Sequence, residues 1–182
     1  PWFSLFHGAH AVWWPDTLGS ATAVPAGVTI GPMGDSVAYA PEFFAETEAI
    51  RAGPGALLLR ATPVASGIAL YTSRASAWLN EVDTQFDTTT LEAERAFHDV
   101  IRNAGYTVDF VSPEQVAAGK LSAYRVLVLP MARAMSEAEI AQIEAFHASG
   151  GTVIADIAPG TFDANGAARA VPPFDALFGA QR

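Results

Sequence analysis

The sequence predicts an α/β fold, a parallel sheet flanked by helices, over residues 63–182. Three observations predict it. Short apolar runs recur at 68–71, 106–111, 124–129 and 152–157. Segments with helical spacing and helix-end chemistry lie between them. The runs are continuous rather than alternating, which is how strands buried on both faces of a sheet read.

The elements follow in chain order. Residues 2–7 read as the end of a helix, Gly8-Ala9 as a break, and His10-Ala11-Val12-Trp13-Trp14 as a short buried strand stopped by Pro15. Residues 16–38 contain Pro25, Gly27, Gly31, Pro32 and Gly34 and read as loop. A loop of that length inside a compact domain is usually functional or belongs to something larger. Residues 41–52 read as a helix. Pro41 suits the first turn, Glu42 complements the positive end of the dipole, and Phe43, Phe44, Thr47 and Ile50 form an apolar stripe. Gly53-Pro54-Gly55 interrupts it, and 56–60 reads as a further short helical turn. Thr62-Pro63 and Ser66-Gly67 mark a boundary, so the chain divides into 1–62 and 63–182.

Beyond the boundary the alternation is regular. After the strand at 68–71 comes a helix at 91–104, with Ala93, Phe97, Val100 and Ala104 on one face and Gly105 as its stop. Strands at 106–111 and 124–129 follow, the latter ended by Pro130. Residues 136–147 carry the clearest helix signal. Ser136 and Glu139 have capping-box spacing, Ile140, Ile143 and Phe146 face the core, and Gly150-Gly151 end it. The fourth strand is 152–157. Asp163-Ala164-Asn165-Gly166 then reads as a tight turn and 171–179 as one last short helix. A sheet of three or four strands is thin, and its edges call for more sheet or a partner.

Composition narrows the function. With 51% hydrophobic and 16% charged residues the chain is globular. Its net charge of −9, with ten scattered basic residues, argues against nucleic acid as a partner. No apolar run approaches the about 20 residues that span a bilayer, so no membrane partner is expected. The absence of cysteine excludes disulfides, thiolate metal sites and cysteine nucleophiles. The opening Pro1-Trp2-Phe3-Ser4-Leu5-Phe6-His7 has neither an initiating Met nor a charged segment before an apolar run. It reads as the interior of a domain cut open, and leaves the cellular location undetermined.

Candidate sites are few. Adjacent Trp13 and Trp14 at the end of a strand suit stacking on a sugar ring, with packing in a core as the plainer alternative. His7 and His10 stand three apart, but no third ligand is placed beside them, so no metal is expected. The Thr72-Ser73-Arg74-Ala75-Ser76 turn after the first strand has hydroxyls and a cation suited to an anion. It lacks the glycine patterns of dinucleotide and phosphate loops. Asp156 ends the fourth strand without a companion acid pair beside the first strand, and no G-x-S-x-G elbow is present. No cofactor is implied.

Several stretches together resemble glycoside hydrolase family 42 beta-galactosidases. Gly53-Pro54-Gly55-Ala56-Leu57-Leu58-Leu59 and Gly67-Ile68-Ala69-Leu70-Tyr71-Thr72-Ser73-Arg74-Ala75-Ser76 resemble that family's junction between barrel and second domain. Asp109-Phe110-Val111, the run Leu121-Ser122-Ala123-Tyr124-Arg125-Val126-Leu127-Val128-Leu129-Pro130-Met131, and Gly150-Gly151-Thr152-Val153-Ile154 continue the likeness. Phe6 to Trp14 looks like the last helix-to-strand step of a (β/α)8 barrel. The resemblance implies that 1–62 is the closing part of such a barrel. It also implies that 63–182 is a trimerisation domain with a flavodoxin-like fold similar to class I glutamine amidotransferases. The parent would then be a homo-oligomer, a trimer, that hydrolyses O-glycosidic bonds of carbohydrates. In the family the catalytic glutamates lie on earlier barrel strands, so none is carried over here, and this chain alone is expected to be inactive. The rival reading is a stand-alone flavodoxin-like module that binds a small ligand or anion at the Thr72–Ser76 turn.

Overall fold

The computed structural model describes residues 40–58, 60–62, 64–83 and 89–180. The expected helix end at 2–7, the strand at 10–14 and the loop at 16–38 lie outside the described residues. The chain divides into two compact units, Pro1–Pro63 and Val64–Arg182.

In the first unit, helix α1 spans Ala40–Ala52 and α2 spans Pro54–Leu58. Pro54 opens α2 at the position where its missing N–H costs nothing. Ile50 is buried and Thr47 half-buried, as the stripe predicts, but Phe44 is exposed. At 3.6 residues per turn Phe44 falls about a third of a turn from Ile50, off the buried face. Gly55 is required by close approach, because a Cβ there would lie 2.3 Å from the Ile50 carbonyl oxygen.

The second unit is the α/β domain. Its strands are β1 (Ile68–Tyr71), β2 (Asp109–Val111), β3 (Val126–Leu129) and β4 (Thr152–Ala155). They form one sheet in the order β2-β1-β3-β4, all parallel. Ala69 pairs with Asp109 on one side and with Leu127 on the other. The helices are α3 (Arg74–Val82), α4 (Thr90–Asn103), α5 (Pro113–Ala117), α6 (Glu137–Ala148) and α7 (Asp175–Phe178), with a 3₁₀ turn at Lys120–Ala123.

Three strands are shorter than their apolar runs, each for a local reason. β2 starts at Asp109 rather than 106. The Thr107 N–H donates to the Ser66 hydroxyl and Ser66 N–H to the Thr107 hydroxyl, both at 2.9 Å, so this part of the backbone is paired off the ladder. β3 starts at Val126 rather than 124, because the Tyr124 N–H closes the 3₁₀ turn on the Leu121 carbonyl. β4 stops at Ala155 because the Asp156 carboxylate accepts from the N–H groups of Ile157 and Met131.

The core lies on the sheet face that carries Ala69, Tyr71, Leu127 and Leu129, under Val116 of α5, Ile140, Ile143 and Phe146 of α6, and Phe174. Leu70 and Val128 point the other way and are also buried, so the central strands are covered on both faces as expected. The edge strands are not. Phe110 of β2 is 51% exposed and Ile154 of β4 43%. The capping box at Ser136 and Glu139 forms, and Gly150 takes the left-handed φ of +97° that ends α6. The last helix is confined to Asp175–Phe178.

The tight turn at 163–166 also forms. Asp163 Oδ1 accepts from the N–H groups of Asn165 at 2.8 Å and Ala167 at 2.9 Å. These donors, Ala167 first, hold the carboxyl below the ordinary aspartate value. A depressed carboxylate contributes stability above its unfolded pKa that is lost as pH falls through the folded value. Asp163→Asn should therefore flatten the acid limb of a Tm-against-pH curve below about pH 4, with little change in slope near neutrality. An unchanged acid limb would remove this role.

Candidate functional site

The strand order places a crossover between β1 and β3, and open α/β sheets take ligands at the carboxyl ends of strands beside such a switch point. A groove of about 830 Å³ lies there. Thr72 and Ser73 after β1, Ser112 after β2, and Ala134 and Ser136 after β3 form its floor. Arg74 and Trp78 of α3, Leu91 and Glu94 of α4, and Glu114 of α5 rise as its walls.

Four helix N-termini reach this groove, each capped by the chain itself, that of α4 by the Thr89–Glu92 capping box. The Ser73 hydroxyl accepts from the Ser76 N–H at 3.2 Å and starts α3. Ser112 and Gln115 form a capping box at α5, and the Ser112 hydroxyl donates to Glu114 at 2.6 Å. Ser136 and Glu139 do the same at α6. Ser76 is fully buried, donating to the Ala134 carbonyl at 3.2 Å and accepting from the Ala134 N–H at 3.0 Å. The hydroxyls that made the Thr72–Ser76 turn look like an anion site are thus bound into the fold. Carboxylates occupy the positive ends of α5 and α6, where an anion would sit, while the first turn of α3 carries none.

The electrostatics agree. Glu94, Glu114 and Glu139 face one Arg74 around the groove. Glu139 is buried and accepts from the Tyr71 hydroxyl and from the Ser136 hydroxyl and N–H. Burial, then the Glu139 charge, pushes the Tyr71 phenol far above its ordinary value, so it stays a donor. Burial raises the Glu94 carboxyl, opposed by the Thr72 hydroxyl. The Ser112 hydroxyl holds Glu114 below the usual carboxylate range. Arg74 is exposed, with its guanidinium carbon 5.9 Å from the Trp78 ring centroid.

Beneath the groove runs a buried seam, Pro130 to Met135. Met131 sits at φ +44°, a strained value for a side chain with a Cβ. Asp156 accepts from its N–H at 2.7 Å, and Asn80 donates to its carbonyl at 3.2 Å. Asp156 is therefore a backbone brace at the end of β4.

Trp13, Trp14, His7 and His10 lie outside the described residues. His98 stacks on Phe110 at 5.9 Å, and His147 Nδ1 is 3.2 Å from the Gly151 carbonyl oxygen at the end of α6. Among the described residues no group of three or more His, Asp or Glu could hold a metal. None of the described helices is long and apolar enough to cross a membrane. Sequence reasoning missed Trp78, Glu94 and Glu114. The available signal was Ser73 as an N-cap before Ala75, Ala77 and Leu79, which makes α3 a helix and sets Arg74 and Trp78 one turn apart.

Residues 66–181 match the family model described as the beta-galactosidase trimerisation domain. No curated relative matches the chain. Among solved structures it is similar to a beta-galactosidase from the psychrophilic Marinomonas ef1, with 17% identity, TM-score 0.75, and 97% of this chain and 27% of that one covered. A GH42 beta-galactosidase from G. stearothermophilus gives 19% identity and TM-score 0.72 over 92% of this chain and 24% of the other. One from Bifidobacterium adolescentis gives 21% and 0.55 over 64% and 56%. The chain thus spans between about a quarter and just over half of these relatives' lengths.

Proposed function

The chain belongs to the beta-galactosidase trimerisation domain family, and from that premise we propose that residues 63–182 serve the assembly of a beta-galactosidase-like glycoside hydrolase. The observation that carries this reading is the coincidence of the family match, 66–181, with the compact unit Val64–Arg182. Edge strands that present Phe110 and Ile154 to solvent fit a domain that meets neighbours. The self-capped helix ends and acidic groove favour it over the anion-binding module.

On the same reading, residues 1–62 are the closing part of a (β/α)8 barrel, and Trp13 and Trp14 stack on the sugar substrate. The carboxylates that cleave the glycosidic bond lie outside residues 1–182. The assembly is a homotrimer. Sedimentation equilibrium of the full chain tests this: a species of three times the 19.1 kDa chain mass is expected. A well-folded monomer across the concentration range would overturn it. The same preparation should leave aryl galactosides intact, and hydrolysis dependent on a carboxylate within residues 1–182 would contradict the barrel assignment.

A further inference from the structure

We propose that Asn165 is a site of spontaneous covalent modification, converted to aspartate and isoaspartate through its neighbour Gly166, and that the turn closed by Asp163 sets the rate. Of the chain's asparagines, at 80, 103 and 165, only Asn165 precedes a glycine. A glycine has no Cβ to hinder attack by its backbone nitrogen. Asn165 is exposed, and among the described residues its hydrogen bonding runs through the backbone N–H rather than the side chain. The space around Gly166 is open as well: a Cβ there would meet only Leu79 Cδ1, at 4.0 Å. By contrast, the Asn80 amide donates to Thr90 and Met131, and the backbone of Asn103 is held in helix α4.

The chemistry needs only water. The Gly166 nitrogen attacks the side-chain carbonyl carbon of Asn165, and an N–C bond closes a cyclic imide. The side-chain nitrogen leaves as ammonia, taking the proton that Gly166 gives up. Water then opens the imide at either carbonyl, giving aspartate or isoaspartate, with nothing oxidised or reduced. The fold restrains the first step. The Gly166 N–H donates to the Asp163 carbonyl at 3.0 Å, and the Asp163 carboxylate accepts from the N–H groups of Asn165 and Ala167. The Asp163 N–H donates to the Ala167 carbonyl at 2.8 Å, and Phe162 bridges Ala168 antiparallel, so the turn is the tip of a short hairpin. The attacking nitrogen stays engaged as a donor until this tip opens locally. The product no longer fits. Either form adds a negative charge two residues from Asp163, and isoaspartate adds a methylene to the backbone of the turn. The reaction therefore loosens the hairpin one way, beside Ala164 at the wall of the groove.

Incubation of the full chain at mildly alkaline pH, followed by peptide mass mapping and an isoaspartate assay, tests the proposal. Conversion at Asn165 to both products is expected, with Asn80 and Asn103 still amides. Asp163→Ala should speed conversion about tenfold, the factor that 1.4 kcal/mol of easier turn opening supplies. Asp163→Asn keeps a side-chain carbonyl acceptor and should convert more slowly than Asp163→Ala. In urea the wild type and Asp163→Ala should convert at one common rate, which separates loss of the turn from a direct effect of the neighbouring carboxylate. The folded wild type should convert more slowly than the same chain in urea, a comparison that needs no variant to fold. An intact Asn165, a folded rate equal to the unfolded one, or a folded Asp163→Ala no faster than wild type would overturn the proposal. So would an Asp163→Ala difference that persists in urea.

Discussion

Arg133→Ala should destabilise the second unit by about 2–3 kcal/mol, the upper part of the range for hydrogen bonds to a charged group, since the Asp83 left behind is partly exposed. The side chain is 3% exposed although it carries a full charge. Its guanidinium donates to Asn80 Oδ1 at 2.8 Å, pairs with Asp83, and lies 5.0 Å from the centre of the Phe162 ring. One group thus ties the end of α3 to the seam after β3 and to the loop beyond β4. Alanine removes that cation, its packing on Phe162 and the fork that holds Asn80. Asn80 in turn donates to Thr90 at 2.6 Å and to the Met131 carbonyl. The loss therefore spreads to the start of α4 and to the strained residue under the groove. Urea unfolding measures it, with a fall in Tm of roughly 10–20 °C. Arg133→Lys keeps the charge but not the planar fork, and should fall between. A loss below about 1 kcal/mol would mean that the pair behaves like an exposed one.

Glu139→Ala should cost about 2–4 kcal/mol, from a buried hydroxyl that loses its acceptor together with a lost helix cap. Tyr71 is almost wholly buried and donates to Glu139 Oε1, while Oε2 accepts from Ser136. A single carboxylate thus joins β1 to the first turn of α6. Tyr71→Phe should cost less, because Glu139 keeps its Ser136 donors. A double-mutant cycle on the two positions should show coupling above about 0.5 kcal/mol. Strictly additive losses would mean that the bond contributes nothing to the link between strand and helix.

The strands and the best-marked helix were legible because their signals are local. The 68–71 strand and the Ser136–Glu139 box are encoded within a few adjacent residues. At β2 and β4, where the sequence misled, a side chain had paired the backbone elsewhere. Ser66 and Thr107 shorten β2, and Asp156 turns the chain away after Ala155. Helix α3 does carry an apolar stripe at Ala75, Trp78, Leu79 and Val82, but it does not mark the buried face: Trp78 and Val82 are exposed, and the buried position is Ser76. Arg74, Ser73 and Ser76 looked like an anion site from residue type alone. Which partners their hydroxyls would take could not be read from the turn itself, because Ser76 bonds Ala134, 58 residues away.

By itself, then, the sequence determined the α/β class, the approximate place of each strand, the capping box of α6 and the family likeness. Hydrophobic runs and cap spacings act over a turn or a strand. Only the tertiary structure decided the order β2-β1-β3-β4, the bare edges and the acidic, indole-walled groove. These depend on partners brought together across long stretches of chain. Tyr71 meets Glu139 across 68 positions and Arg133 meets Asn80 across 53, and no local pattern records such pairings.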